Sequence, residues 1–232
     1  MHRQPRSIES IVDYQIKRWE ANRLQREARQ KETAAHRPVI TISRQYGTGG
    51  TSLARELSER MHFNCWDQEL VHDIAEHSAA PERLFASLDE HRQHTVQALI
   101  NATLYPGRPN AAQYLTELRR TVHTVADHGA AVIVGRGAHC ILRSDEALKV
   151  RIVSPVEKRV AWVMAESEAS LAQAQAKVEE VDADRAAFLR DAFRHELTNI
   201  DAFDIVINME HLTIDQAADV IMAAYAARFD AD

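Results

Sequence analysis

Glycine is scarce in this chain, with seven residues in 232. Cysteine is scarcer: only Cys65 and Cys140 occur. Two cysteines exclude a disulfide framework and a cysteine-rich metal centre, and they suit a reducing, cytoplasmic compartment. No apolar run approaches the length of a membrane span. The N-terminal segment is polar, without the apolar core of a secretory signal. Positive charge is also short, with a formal net charge of −6. With no cationic surplus to replace counterions, broad nucleic-acid binding is excluded, although a local anion site is not. What remains is an ordinary globular balance, 45% hydrophobic and 27% charged, in a length that suits one α/β domain with a small insert.

The few glycines are concentrated. Gly47, Gly49 and Gly50 form one cluster, and Gly135 and Gly137 another. Such spacing predicts unusual backbone conformation or close ligand approach at two places.

Hydrophobic periodicity orders the rest. Residues 8–30 read as a helix with Ile8, Ile11, Val12, Ile16 and Trp19 on one face. This N-terminal arm, residues 1–37, can dock on the domain or on a second copy, which would make a homodimer. Val39–Ser43 reads as a buried strand running into the first glycine cluster, followed by an amphipathic helix marked by Leu53, Ala54, Leu57 and Met61. Phe63–Trp66 is a second strand ending at Asp67. From residue 68 to 128 the pattern is helical, broken by the turn-rich Tyr105–Asn110. Residues 78–128 read as a helical insert serving as a substrate-binding flap.

Ala131–Val134 and Leu148–Val153 are the third and fourth strands. Ser154, Pro155 and Glu157 carry helix-start signals, with Ser154 as cap and Glu157 closing a capping box. Two helices are expected over 169–182 and 184–198. Asp204–Asn208 is a fifth strand, and Thr213 with Gln216 predicts a second capping box. Strands alternating with helices predict a parallel sheet covered on both faces, with ligands beyond the carboxyl ends of the strands. Both glycine clusters and Asp67 fall at such ends.

A glycine-rich turn between strand and helix presents backbone N–H groups and the positive end of a helix dipole, a natural seat for phosphate. Gly47-Thr48-Gly49-Gly50-Thr51-Ser52 is such a turn. Against the pattern G-x-x-x-x-G-K-[ST], Gly49 takes the second glycine, Arg44 the first, Gly50 the lysine position and Thr51 the hydroxyl; Ser52 is the alternative hydroxyl. The lysine is absent. Arg44 or Arg55 would have to meet the phosphates, with fork geometry in place of a point charge.

The run Val39-Ile40-Thr41-Ile42-Ser43-Arg44-Gln45-Tyr46-Gly47-Thr48-Gly49-Gly50 resembles the opening of the cytidylate kinase-like proteins, a lysine-free branch of the P-loop nucleoside monophosphate kinases. The resemblance extends over about residues 38–226, through Trp66-Asp67, Val132–Gly137, Asp182–Arg185 and Phe203–Asn208. It implies a three-layer P-loop kinase fold over residues 38–230. The expected parts are a five-stranded parallel sheet flanked by helices, a helical acceptor-binding insert and a lid at about 165–198. It further implies transfer of the ATP γ-phosphate to CMP or a related nucleoside monophosphate, with Mg2+. By the same resemblance Asp67 lies near the acceptor, and Arg136 contacts the acceptor phosphate. Asp182 and Arg185 match the pair that recognises cytosine and phosphate. Arg44, Arg136 and Arg185 are the expected catalytic arginines. Two positions depart from the family pattern: Gly137 replaces an aspartate, and Val178 stands where the lid carries an arginine.

Several residues admit two readings. Arg185 lies among Asp182, Asp184 and Asp191, which also suits a solvated helix-face ion pair. Arg159 either touches donor phosphate or base, or is an exposed helix charge. Asp67 either holds Mg2+ through water together with Thr51 or Ser52, binds a ribose hydroxyl, or caps the next helix. His72 with His77, or His91 with His94, would meet on helices, yet no zinc-type spacing accompanies them. Departures from the family pattern leave two further functions open: a nucleotide-binding regulator without transfer activity, and a kinase for a different acceptor selected by the insert.

Overall fold

The structure is a computed structural model that describes residues 7–28, 37–76, 79–88, 90–101 and 109–229. The chain divides into two compact units, residues 1–37 with 68–129, and residues 38–67 with 130–232.

The second unit carries the sheet. Strands β1 (Val39–Arg44), β2 (Asn64–Trp66), β3 (Ala131–Val134), β4 (Ala147–Val153) and β5 (Ile205–Asn208) lie in the order β2-β3-β1-β4-β5. Every pairing is parallel. β1 lies between β3 and β4, with Ile42 opposite both Val134 and Val150. The crevice of such a sheet opens beyond the carboxyl ends of its central strands.

Strand periodicity separates the two faces. Ile40, Ile42, Val132, Val134, Val150, Ile152 and Ile207 form one continuous core with α2 (Gly50–Met61) and α10 (Ile214–Phe229). The expected Leu53, Ala54, Leu57 and Met61 are its contribution from α2. Thr213 and Gln216 open α10 with the expected reciprocal bonds, at 3.0 and 3.2 Å. The opposite face bears Thr41, Ser43 and Arg151, all buried.

Two helix boundaries differ from the sequence expectations. The stretch expected to form two helices over 169–182 and 184–198 is one helix, α9 (Leu171–Phe193). No glycine or proline stands near Asp182–Asp184 to break it. Its start carries a capping box between Ser170 and Gln173 that the sequence analysis passed over. The box expected at Ser154 and Glu157 does not form. Helix α8 (Val156–Ser167) begins after Pro155 with no side-chain cap, and the backbone of Ser154 is used elsewhere. α8 and α9 form a hairpin around Val160, Val163, Ala174 and Val178.

The first unit is helical: α1 (Ile8–Ala28), α3 (Gln68–Glu76), α4 (Ala80–Phe85), α5 (Glu90–Asn101) and α6 (Pro109–His128). α1 packs on α3 and α4. Trp19 stacks on His128 at 3.6 Å between ring centroids, and Asp13 pairs with Arg83. The expected Tyr105–Asn110 break lies outside the described residues up to position 108, and Pro109 and Asn110 already belong to α6. His77 and the side chains of His91 and His94 also lie outside them. His72 pairs with Tyr114 and Glu76. Among the described residues no helix is long and apolar enough to cross a membrane.

Candidate functional site

β1 delivers the chain to Arg44, and the following loop turns into α2 at Gly50. Gly47 has φ of 79°, and a Cβ there would meet the Arg159 carbonyl oxygen at 2.7 Å, so the loop lies directly against α8. Gly49 is the N-cap of α2 and provides no side-chain cap; the first turn contains no acidic residue. The first N–H groups of α2 are therefore left to a ligand, and the dipole favours an anion. A small open cleft of about 90 Å3 lies here, lined by the loop from Arg44 to Ser52 together with Trp162 and Arg185. Thr51 is half-buried and Ser52 exposed, so the two hydroxyls expected at the phosphates line the cleft. Thr48 is different: its hydroxyl donates to the Gln45 carbonyl at 2.9 Å and stitches the loop to itself.

The loop is held from the α8–α9 side. The Tyr46 N–H donates to Asp182 Oδ1 at 2.8 Å. The other carboxylate oxygen receives Arg159 Nη1 at 2.6 Å. That same Nη1 donates to the Tyr46 carbonyl at 3.2 Å, and Arg159 Nε to the Ser154 carbonyl at 3.1 Å. Gln45 Oε1 accepts from the Ser154 N–H at 2.9 Å. Arg159 is buried, which overturns the reading of an exposed helix charge. It lies under the loop and fixes its shape. Asp182, expected in acceptor recognition, has both oxygens engaged in this latch.

Cations crowd the carboxyl edge of the sheet. Burial and the neighbouring charges of Arg185, Arg136 and Arg151 push the Arg44 guanidinium down to about 9, opposed by Asp67. Arg151, on β4, is pushed down to about 10 by burial, with Asp182 opposing and Arg185 and Arg159 reinforcing the effect. It donates to Ser43 Oγ at 2.8 Å. Arg185 is lowered mainly by burial, lies 5.5 Å over the Tyr46 ring and donates to the Arg44 carbonyl at 3.2 Å. Its Nε is buried without a hydrogen-bond partner. The solvated ion-pair reading of Arg185 is thereby replaced: the residue is a half-buried member of the cleft. Guanidinium groups so desolvated and mutually repelling are stabilised by a bound polyanion.

The second glycine cluster is a left-handed turn. Gly135, Arg136 and Gly137 have φ of 74°, 49° and 68°. An arginine in that region costs about 1–2 kcal/mol, and such strain collects at functional sites. The turn is tied to β1 by the Gly135 N–H donating to the Ile42 carbonyl at 2.9 Å. A Cβ on Gly137 would run into the Phe193 ring, so the aspartate of the family pattern has no room here. The Arg136 guanidinium lies 5.8 Å over Phe188, on α9. Asp67 directly follows β2, half-buried, with its charge felt at Arg44.

Arg44, Arg136, Arg185 and Asp67, read from the sequence, are thus electrostatic neighbours. Arg151 was missed. Its signal was present, since a charged residue between Val150 and Ile152 interrupts a buried strand run. Val178, in place of the lid arginine, is buried in the α8–α9 hairpin, where a guanidinium has no solvated position. Arg55 is exposed and does not line the cleft.

Residues 39–211 match the model of the cytidylate kinase-like family. Curated proteins yield no match. Among solved structures, an uncharacterized protein from Eubacterium ventriosum has a TM-score of 0.63 at 21% identity, covering 83% of this chain and 99% of that one. A shikimate kinase from Bacteroides thetaiotaomicron has a TM-score of 0.43 at 15% identity, over 81% of this chain and 97% of that one. A second, from Acinetobacter baumannii in complex with shikimate, has 0.43 at 14%, over 83% and 95%. The family match spans the phosphate loop, the left-handed turn, the latch and β5, and on that extent the chain belongs to the cytidylate kinase-like family.

Proposed function

We propose that this chain transfers the γ-phosphate of ATP to CMP or a related nucleoside monophosphate. One observation carries the reading. Around a lysine-free loop, Arg44 and Arg185 line the cleft and are bonded to each other through the Arg44 carbonyl, with Arg136 and Arg151 within electrostatic reach. Phosphoryl transfer asks the protein mainly for positioning and for neutralisation of charge on the moving group. Backbone amides of the loop and α2 hold the donor phosphates. Arg44 and Arg185 stand at the cleft and take the place of the missing lysine. Arg136, presented by its strained turn, meets the acceptor phosphate. Arg159 and Asp182 act through the loop they hold.

The oxygen donors Thr51, Ser52 and Asp67 fit Mg2+, which takes few protein ligands and keeps several waters. When bound, that ion neutralises phosphate charge; the loop's own residues orient the donor beside it. Trp162, 39% exposed and on the wall of the cleft, offers a ring face to the donor base. The paucity of cysteine favours a cytoplasmic setting.

The test is an acceptor screen with ATP and Mg2+, following ADP formation against CMP, other nucleoside monophosphates and small hydroxyl metabolites. CMP-dependent ADP formation is expected. A folded sample that binds ATP but turns over no acceptor rejects transfer and leaves a nucleotide-binding regulator. Failure to bind ATP or tripolyphosphate rejects both.

A further inference from the structure

Behind the left-handed turn, on the sheet face opposite the main core, three ligand-bearing side chains meet. His139 and Cys140 lie on the short helix α7 (Ala138–Ile141), immediately after Gly137. His195 follows Arg194, the residue that ends α9 with φ of 51°. One ligand atom from each of the three lies within 4.8 Å of the others. The Cys140 Sγ stands 3.3 Å from His139 Nε2. The Nε2 of His195 is buried without a hydrogen-bond partner. His139 is itself buried, stacked on Phe203 at 4.8 Å and edge-on to His195 at 5.2 Å.

We propose that His139, Cys140 and His195 form a site for a zinc-class transition-metal ion. Two imidazoles and one thiolate are a donor set for a borderline-soft cation, with a fourth position left for water. With Zn–S near 2.3 Å and Zn–N near 2.0–2.1 Å, tetrahedral ligands lie roughly 3.3–3.7 Å apart. The sulfur–nitrogen pair already has that spacing at 3.3 Å, and from a separation within 4.8 Å His195 needs a movement of about 1.5 Å at most to reach it. On binding, the Cys140 thiol releases its proton to solvent and the sulfur pair forms the metal bond. Lys149 and Arg151 lie nearby and weaken cation binding, whereas the thiolate and Glu196 oppose them.

The placement gives the ion a mechanical role. α7 continues directly from Arg136 and Gly137, and Phe193 at the end of α9 rests against Gly137. A metal bridging α7 to His195 clasps the end of α9 to the turn that presents Arg136. This site is separate from the oxygen donors at the phosphate loop, so it does not depend on the proposed kinase activity.

The untagged full chain is titrated with Co2+ as a spectroscopic stand-in, then with Zn2+ to displace it. One equivalent of Co2+ is expected to bind with a thiolate-to-cobalt charge-transfer band, and Zn2+ to erase the band and raise the melting temperature. Cys140→Ser removes the band, His195→Gln weakens binding at least ten-fold, and Cys65→Ser leaves both intact. Excess Mg2+ does not compete. Should Cys140→Ser fail to fold, His195→Gln, on a half-exposed residue past a helix end, decides the matter. Absence of a thiolate band in the wild type, or affinity unchanged in folded Cys140→Ser or His195→Gln, overturns the site.

Discussion

Arg159 and Asp182 form an ion pair at 2.6 Å in which the arginine side chain is only 8% exposed and the carboxylate 27%. The same carboxylate receives the Tyr46 N–H, so one pair couples the α8–α9 hairpin to the phosphate loop. Replacing Asp182 leaves a buried guanidinium without its counter-charge and frees the loop backbone. Asp182→Asn is expected to cost about 1–3 kcal/mol, after allowance for the partial exposure of the carboxylate. Tripolyphosphate affinity should fall about ten-fold, since the loop must then be ordered by the ligand. Thermal unfolding and calorimetric titration measure the two effects. An unchanged melting temperature would remove Asp182 from its latch role.

Arg136 separates stability from function. Arg136→Gly and Arg136→Ala both delete the guanidinium, and both are expected to abolish acceptor-dependent turnover. They differ in backbone, because φ of 49° suits glycine and strains alanine. The glycine variant should be more stable than the alanine variant by about 1 kcal/mol. Denaturant titration of the two proteins reads the difference directly, and equal stabilities would contradict the strain.

Trp162 distinguishes base from phosphate. Trp162→Ala is expected to weaken ATP binding about ten-fold, from the roughly 1–3 kcal/mol of a base stacked on an aromatic ring. Tripolyphosphate should bind the variant and the wild type alike. A parallel loss for both ligands would place Trp162 in the shape of the cleft instead of under the base.

His123 governs part of the acid response of the helical unit. Burial, aided by Arg119, pushes its imidazole down to about 4 from 6.5. The folded state therefore stays neutral where the unfolded chain binds a proton. Stability is complete above about pH 6.5, falls as the pH drops toward 4, and is flat for this group below that. The loss amounts to about 3 kcal/mol at most. His123→Leu should flatten this limb in unfolding curves recorded between pH 7 and 4. His139 contributes a separate limb that this variant does not remove. An unchanged pH slope would show that His123 is not the group responsible.

How much of this was legible beforehand depends on the range of the interaction. β1 and β3 were readable because Val39–Ser43 and Ala131–Val134 are buried on both faces, and β5 because Ile205–Ile207 is a β-branched run, although only Ile207 in it is fully buried. The capping box of α10 was readable because Thr213 and Gln216 are three residues apart and need nothing else. The division of 169–198 into two helices failed because aspartates at 182 and 184 resemble a turn. In the fold, α9 packs Val178 and Leu189 into apolar surroundings and runs through them. The box between Ser154 and Glu157 failed for the complementary reason, since the Ser154 N–H that Glu157 would receive is taken from afar. Gln45, more than a hundred residues away, accepts it.

The sequence by itself determined where the glycine loop of the cleft lies, because a strand, a glycine turn, paired hydroxyls and an amphipathic helix are consecutive. It also determined that lysine is missing there. Only the tertiary structure decided what compensates. Arg151 and Arg185 come from distant elements and reach the loop through parallel strand pairing and the α8–α9 hairpin. Arg159 and Asp182 were separated from cleft residues of the same charge by burial and by the Tyr46 backbone. Charge is written in the residue type, but its task depends on which groups share its low-dielectric surroundings, and folding alone selects them.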